Sequence, residues 1–338
     1  MDTRIYLDHA TLSPLRPEAA QAIRDAATLG GNPSSLHAIG RAARQSIDDA
    51  AQIVRQLVRA GDASVVFTGS GGEANELGVL GLARAQRTSH GRRRILIGPD
   101  ESGEVMAATA QLAREGFAIE ALAEARLGDD VALIVLALDQ ASSGRLNASA
   151  HVAVTAERLG IPLHCDATRA AATMSVDFLA SGASTLSLAS ETIGGPEGAG
   201  ALVTLKGLAL TPLWDGGGQE GGLRSGSQAV ALIAGFAAAA AATSSATVRP
   251  IDAKALDMLW AALDVPVLGG PRRPGVSCAV LEPARADLLI RLAAERGVTL
   301  GRVPRGVRAS AGWSTTTEEL AQATIALASC APDLQKAA

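Results

Sequence analysis

The sequence predicts an α/β protein, with a large domain built on a mostly parallel sheet and a smaller α+β domain after it. Three observations carry this. Short apolar runs at 65–68, 95–98, 132–138, 162–166, 185–190 and 201–205 alternate with helix-patterned segments at 41–59, 73–85, 104–115 and 148–160. Near-continuous apolar strands between helices mark a parallel sheet covered on both faces. The pattern changes after about Thr247, and the 338 residues suffice for about two domains at roughly 150 residues each.

Each element has a local reason. The N-terminus "MDTRIYLDHA" runs directly into a strand-like stretch and lacks the basic and apolar regions of a secretory leader. "FTGSGGEANEL", 67–77, reads as strand, glycine loop and helix. Such a loop has two readings: backbone N–H groups at the helix start that suit an anion, or a tight turn that requires glycine. Past a junction at 244–250, strands are expected at 265–269, 276–281, 298–301 and 307–311, with helices at 284–296 and 316–330. The boundaries drawn are 14–247 for the large domain, with 1–13 and 248–338 forming the small one.

Composition excludes several functions. A net charge of −4 gives no strong attraction to nucleic acid, and 2% aromatic residues provide no base-stacking platform. No apolar run approaches the roughly 20 residues of a membrane span, so neither membrane nor nucleic acid is an expected partner and the cytoplasm is the expected compartment. Cys165, Cys278 and Cys330 are far apart, and the five histidines form no i, i+4 pair, so no metal site is expected. The arginines at 92–94 read as a solvated loop before a strand.

Seven segments occur in one order: "IYLDHATLSPL", "GNPSSLHAIGRAAR", "FTGSGGEAN", "IPLHCDATRAA", "LSLASETIGGPEGAGAL", "GGGQEGGLRSGSQAV" and "GVRASAGWSTTTEEL". Together they closely resemble the cysteine desulfurases of the NifS/IscS type, in the class V aminotransferase group, over nearly the whole chain. The resemblance implies the fold type I of pyridoxal-phosphate-dependent transferases, with a small C-terminal domain and a dimer whose sites lie near the subunit interface. It also implies chemistry that needs a Schiff-base lysine, an electron sink and a sulfur-accepting cysteine.

Carried across residue by residue, the resemblance meets a depleted site. Thr192 stands at the lysine position and cannot form an imine. Ala189 has lost a hydroxyl that would bind phosphate, and Glu191 places a carboxylate near it. Gly72 stands where a threonine precedes the loop glutamate, Ser102 at the ring-stacking histidine, Ala141 at an asparagine and Arg169 at a glutamine. The cysteine loop shrinks to "RVPRG", 302–306, with no cysteine in it. What persists is Asp166 for the pyridine nitrogen, Ser227 for a neighbouring subunit's phosphate, Gly71 with Gly72 in the loop, and Arg308 for a substrate carboxylate. Each also has a structural reading: Asp166 as a turn cap, Ser227 as a loop hydroxyl, Arg308 in an ion pair. Cys278 and Cys165 read as small buried strand residues. The chain's lysines, Lys206, Lys254 and Lys336, sit where none reaches the pocket of the implied fold.

The expectation is therefore a catalytically silent desulfurase homologue with no cofactor. It would be a dimeric scaffold or regulator in iron–sulfur cluster assembly or sulfur transfer, as a homodimer or with a desulfurase relative. Two alternatives stay open. One is an enzyme or small-molecule binder using Arg308, Arg169 and Glu191 in the remodelled pocket. The other is an enzyme that holds pyridoxal phosphate without a covalent bond, supported mainly by Asp166.

Overall fold

The computed structural model describes residues 4–245 and 251–336, so most of the expected junction, 246–250, lies outside the described residues. Its strands are β1 (Ile5–Leu7), β2 (Ser64–Thr68), β3 (Arg94–Ile97), β4 (Ala118–Ala121), β5 (Val131–Val135), β6 (Leu163–Asp166), β7 (Thr185–Ala189), β8 (Gly200–Thr204), β9 (Val276–Val280), β10 (Val298–Val303) and β11 (Gly306–Ser310). The seven-stranded sheet runs β2-β8-β7-β6-β5-β3-β4, and the four-stranded one β1-β10-β11-β9. From β7 to β4 all pairings are parallel. β8 runs antiparallel to both β2 and β7, which makes the sheet mixed at one end.

β5, β6, β7 and β8 are buried along their whole lengths. That is why they read as continuous apolar runs rather than alternating ones. Helices α1 (Pro17–Ala27), α2 (Ala38–Leu57), α3 (Gly71–His90), α4 (Gly103–Arg114) and α5 (Ser149–Arg158) connect or cover the strands. The alanine-rich helix Val230–Ser245 packs against α1 and α2. At Gly235 a Cβ would lie 2.6 Å from the Ile23 side chain, so the small residue permits the close approach.

β1 pairs with β10 in parallel, bringing the N-terminal strand into the C-terminal sheet, with Ile5 opposite Val298. Two local expectations change. No strand forms at 265–269; that segment makes one isolated bridge, Val267 to Ala279, and Pro266 offers no N–H to extend it. β4 was missed because it is an exposed edge strand with no buried residue. No helix among the described residues is long and apolar enough to cross a membrane, and no group of their acids, histidines and cysteines is arranged to hold a metal.

Candidate functional site

The carboxyl ends of β3, β5, β6 and β7 converge, and in an open α/β sheet that crevice is where ligands bind. Ser102 follows β3, Ala141 follows β5, Asp166 ends β6, and Thr192 follows β7. Arg308 enters from β11 of the other sheet. The structure thus gathers most of the predicted site residues in one place.

Asp166 is buried and fully engaged. Its Oδ1 accepts from the Thr168 amide at 2.9 Å and the Thr168 hydroxyl at 2.6 Å. Its Oδ2 accepts from Asn75 Nδ2 at 2.9 Å and from the Ser102 hydroxyl at 3.0 Å. Burial alone would raise its pKa, but Arg169, the Thr168 contacts and His164 hold it below the ordinary value. Asn75 then extends the network. Its Oδ1 meets His164 Nε2 at 3.0 Å and accepts from Ser187 Oγ at 2.5 Å, while His164 Nδ1 meets Thr185 Oγ1 at 2.9 Å. Burial pushes His164 down to about 4, so it is neutral at pH 7.

Thr192 is 5% exposed, and its hydroxyl donates to the Thr168 carbonyl at 2.5 Å and the Ala189 carbonyl at 3.1 Å. Both acceptors are backbone, so this side chain stitches the turn after β7 to the turn after β6. No lysine substitutes for it. Lys206 reaches Asp62 at the surface at 3.4 Å, Lys254 is exposed in its own short helix, and Lys336 pairs with Asp333 at 3.7 Å.

The glycine loop resolves toward packing. A Cβ on Gly71 would lie 2.6 Å from the Ala189 Cβ, and one on Gly72 would lie 2.9 Å from Glu104 Cγ. Two amides at this turn are taken from within. Gly69 N–H donates to Glu73 at 2.6 Å, and the Ser70 hydroxyl caps α3 by accepting from Glu73 N–H at 3.0 Å. Arg224 Nε then holds Glu73 at 2.9 Å. Ser227 lies exposed in the loop before the helix Val230–Ser245.

Arg308 is 5% exposed; it donates to the Ala141 carbonyl at 3.0 Å and to Thr11 Oγ1 at 2.8 Å, and it pairs with Asp8 at 3.3 Å. Its Nε has no partner. Cys278 faces it in register across β9 and β11, contacting the Ser142 carbonyl at 3.2 Å. Burial pushes the Cys278 thiol up to about 11, and Cys165 and Cys330 are likewise raised by burial. All three are therefore protonated, inert thiols at pH 7. β10 and β11 are joined by Pro304 and Arg305 alone, a hairpin with no room for a mobile cysteine loop.

Three elements of the site were not expected from sequence. Glu101, beside Ser102, is 7% exposed; its Oε1 accepts from Ala137 N–H at 2.9 Å and its Oε2 has no partner. Burial pushes it up to about 8. Asn75, one helical turn past Gly71, is the hub of the buried network, and that i, i+4 spacing was the available signal. The Arg273–Asp139 pair, 2.8 Å apart and almost fully buried, ties the segment before β9 to the turn after β5. No local pattern announces that pair.

With this geometry established, comparison places the chain. The Aminotransferase class-V family model matches residues 5–264. An IscS-like cysteine desulfurase of Mycobacterium tuberculosis is 36% identical over 251 residues, 70% of this chain and 64% of that protein. Cysteine desulfurase IscS 1 of Archaeoglobus fulgidus is 31% identical, over 70% of this chain and 65% of that protein. The chain thus spans about two thirds of the length of these relatives. A NifS-like protein from Rickettsia africae ESF-5 superposes with a TM-score of 0.83 at 19% identity, covering 98% of this chain and 99% of that one. At that identity the likeness shows the fold, which is that of the pyridoxal-phosphate fold type I enzymes.

These matches correct one expectation. The reading of no cofactor does not stand, because the matched family is one of pyridoxal-phosphate-dependent enzymes. The residues present fit that group unevenly. At the ring end Asp166 is in place. At the imine end stands Thr192, bonded to two carbonyls, and at the phosphate end Glu104 lies over Gly72 and Glu191 adds a second carboxylate. The imine and phosphate ends do not fit, and no chemical step is derived through the cofactor.

Proposed function

The chain belongs to the class V aminotransferase family, and from that premise we propose that it is a desulfurase homologue that performs no imine chemistry in its own pocket. It serves instead as a dimeric scaffold or regulator in sulfur transfer or iron–sulfur cluster assembly, in the cytoplasm. The observation that carries this is Thr192, whose hydroxyl is committed to the carbonyls of Thr168 and Ala189 where the family's lysine would stand. The inert thiols and the two-residue β10–β11 turn support it from the sulfur side.

A surface role needs a surface. Leu36, at the end of "GNPSSLH", is 89% exposed, and Ile39, in the first turn of α2, is 55% exposed. These side chains support pairing with a second copy or with a desulfurase relative, since large apolar groups left this open mark contact sites when they cluster. The test is sulfide release from L-cysteine with pyridoxal phosphate and a thiol reductant. The reading expects none above a no-protein blank; turnover at the level of a lysine-bearing relative would end it.

A second reading, a small-molecule binder, is favoured by the buried polar atoms left without partners on Glu101, Glu191 and Arg308. Buried polar atoms of native proteins are nearly always satisfied. A thermal-shift screen with metabolites tests it, since a ligand of the folded state stabilises by mass action.

A further inference from the structure

The chain after β5 folds into a small hairpin that reaches from one sheet to the other. Asn147 N–H donates to the Leu138 carbonyl at 3.0 Å and Gln140 N–H to the Arg145 carbonyl at 2.8 Å, with Asp139 bridged to Leu146. Its tip is held by its own sheet. Ala141 N–H donates to the Asp100 carbonyl at 2.9 Å, and Ser142 N–H to the Asp100 carboxylate at 3.2 Å. Its other flank meets the segment leading into β9, an edge strand of the four-stranded sheet.

The contacts that cross there are polar. Arg273 Nε pairs with Asp139 at 2.8 Å, and its Nη1 donates to Thr173 Oγ1 at 3.1 Å. Backbone bonds run both ways: Leu146 N–H to the Pro271 carbonyl and Arg273 N–H to the Gly144 carbonyl, each at 2.9 Å. Arg308 donates to the Ala141 carbonyl at 3.0 Å and the Cys278 thiol to the Ser142 carbonyl at 3.2 Å. Arg272 turns the opposite way and bonds both Asp257 oxygens, at 2.9 and 2.7 Å. Two adjacent guanidiniums thus fasten one segment to both sides.

The apolar cores do not cross this seam. Cys165 packs in a core of the seven-stranded sheet and Cys330 in that of the four-stranded sheet, while Cys278, equally buried, belongs to neither among the described residues. A seam of hydrogen bonds between two separate cores exposes little apolar surface on parting, so it opens more readily than either core.

We propose that the hairpin 138–147 is a releasable fastener holding the two sheets together over the crevice, with Arg273 as its pin. Ala141 and Ser142 are consecutive, so release frees Arg308 and Cys278 together. Access to Arg308 is then governed by Arg273, a residue outside the crevice's own list of predicted positions. The inference goes beyond both readings above and holds whichever of them stands.

Thiol labelling of the full chain with iodoacetamide at pH 8, across a urea series and located by mass spectrometry of peptides, tests the proposal. Burial keeps the Cys278 thiol protonated while the seam is closed, so it reacts only through opening. Labelling of Cys278 should depend weakly on urea, because parting a polar seam exposes little surface, whereas Cys165 and Cys330 should follow the steep dependence of global unfolding. Arg273→Ala should speed Cys278 labelling without urea at least about tenfold. Arg273→Lys, which keeps a cation but loses the fork, should speed it less, and it is read in place of the alanine variant if that one does not fold. The proposal is overturned if Cys278 shares the urea dependence of Cys165 and Cys330 in the wild type. It is equally overturned if the variants, shown folded by circular dichroism, label at Cys278 as the wild type does.

Discussion

The Thr192 hydroxyl lies 2.5 Å from the carbonyl oxygen of Thr168 and donates to it, joining the turns that follow β7 and β6. This bond places a structural side chain where the family's chemistry requires an amine. Removing it leaves a buried carbonyl short of a donor. Thr192→Val should therefore cost about 1–3 kcal/mol, read as a lower urea midpoint at unchanged m-value.

The buried Arg273–Asp139 pair predicts a larger effect. Arg273→Ala leaves the Asp139 carboxylate without its cation in a site almost closed to water. The expected loss is about 3–5 kcal/mol. Urea unfolding of Arg273→Ala, Asp139→Ala and the double variant measures it, and the double variant should lose less than the sum of the singles.

Glycine is required where β8 passes the start of α3. A Cβ on Gly200 would lie 2.3 Å from the Ser70 carbonyl carbon, which is backbone and cannot swing aside. Gly200→Ala should cost about 1–3 kcal/mol or more. Gly91→Ala is the contrast: nothing lies within 4 Å of its Cβ, and only its left-handed φ of 70° opposes the change. The first variant should lower the urea midpoint more than the second.

Glu101 and His164 set opposite pH dependences. Glu101 is raised from 4.5 to about 8, so the folded state binds its proton more tightly than the unfolded one. Its contribution is full below about 4.5 and is lost as pH rises to about 8. His164 is lowered from 6.5 to about 4, so the unfolded state binds the extra proton and stability is lost as pH falls from about 6.5 to 4. Denaturation midpoints across pH 4–9 should show Glu101→Gln removing the loss on the alkaline side and leaving the acid side in place.

Much of this was legible in the sequence because its causes are local. Buried strands β5 to β8 announce themselves as apolar runs, and the turn after β7 carries Thr192 in "LASETIGG". The close packing of Gly71 against Ala189 gives the glycine there a steric reason that no local pattern could announce. What stayed hidden depends on distance. Glu101 meets the amide of Ala137, Arg273 meets Asp139, and Arg308 meets Asp8 only after the sheets assemble. The strand expected at 265–269 failed because Pro266 cannot donate to a ladder, and β4 was missed because an exposed edge needs no apolar residues.

The proposed loss of imine chemistry rests on Thr192. The most direct measurement is the visible absorption spectrum of the purified full chain with pyridoxal phosphate, before and after borohydride, followed by mass spectrometry of the intact protein. No imine band and no mass increase from a reduced cofactor adduct are expected. A reducible band with the adduct on any of Lys206, Lys254 or Lys336 would overturn the proposal.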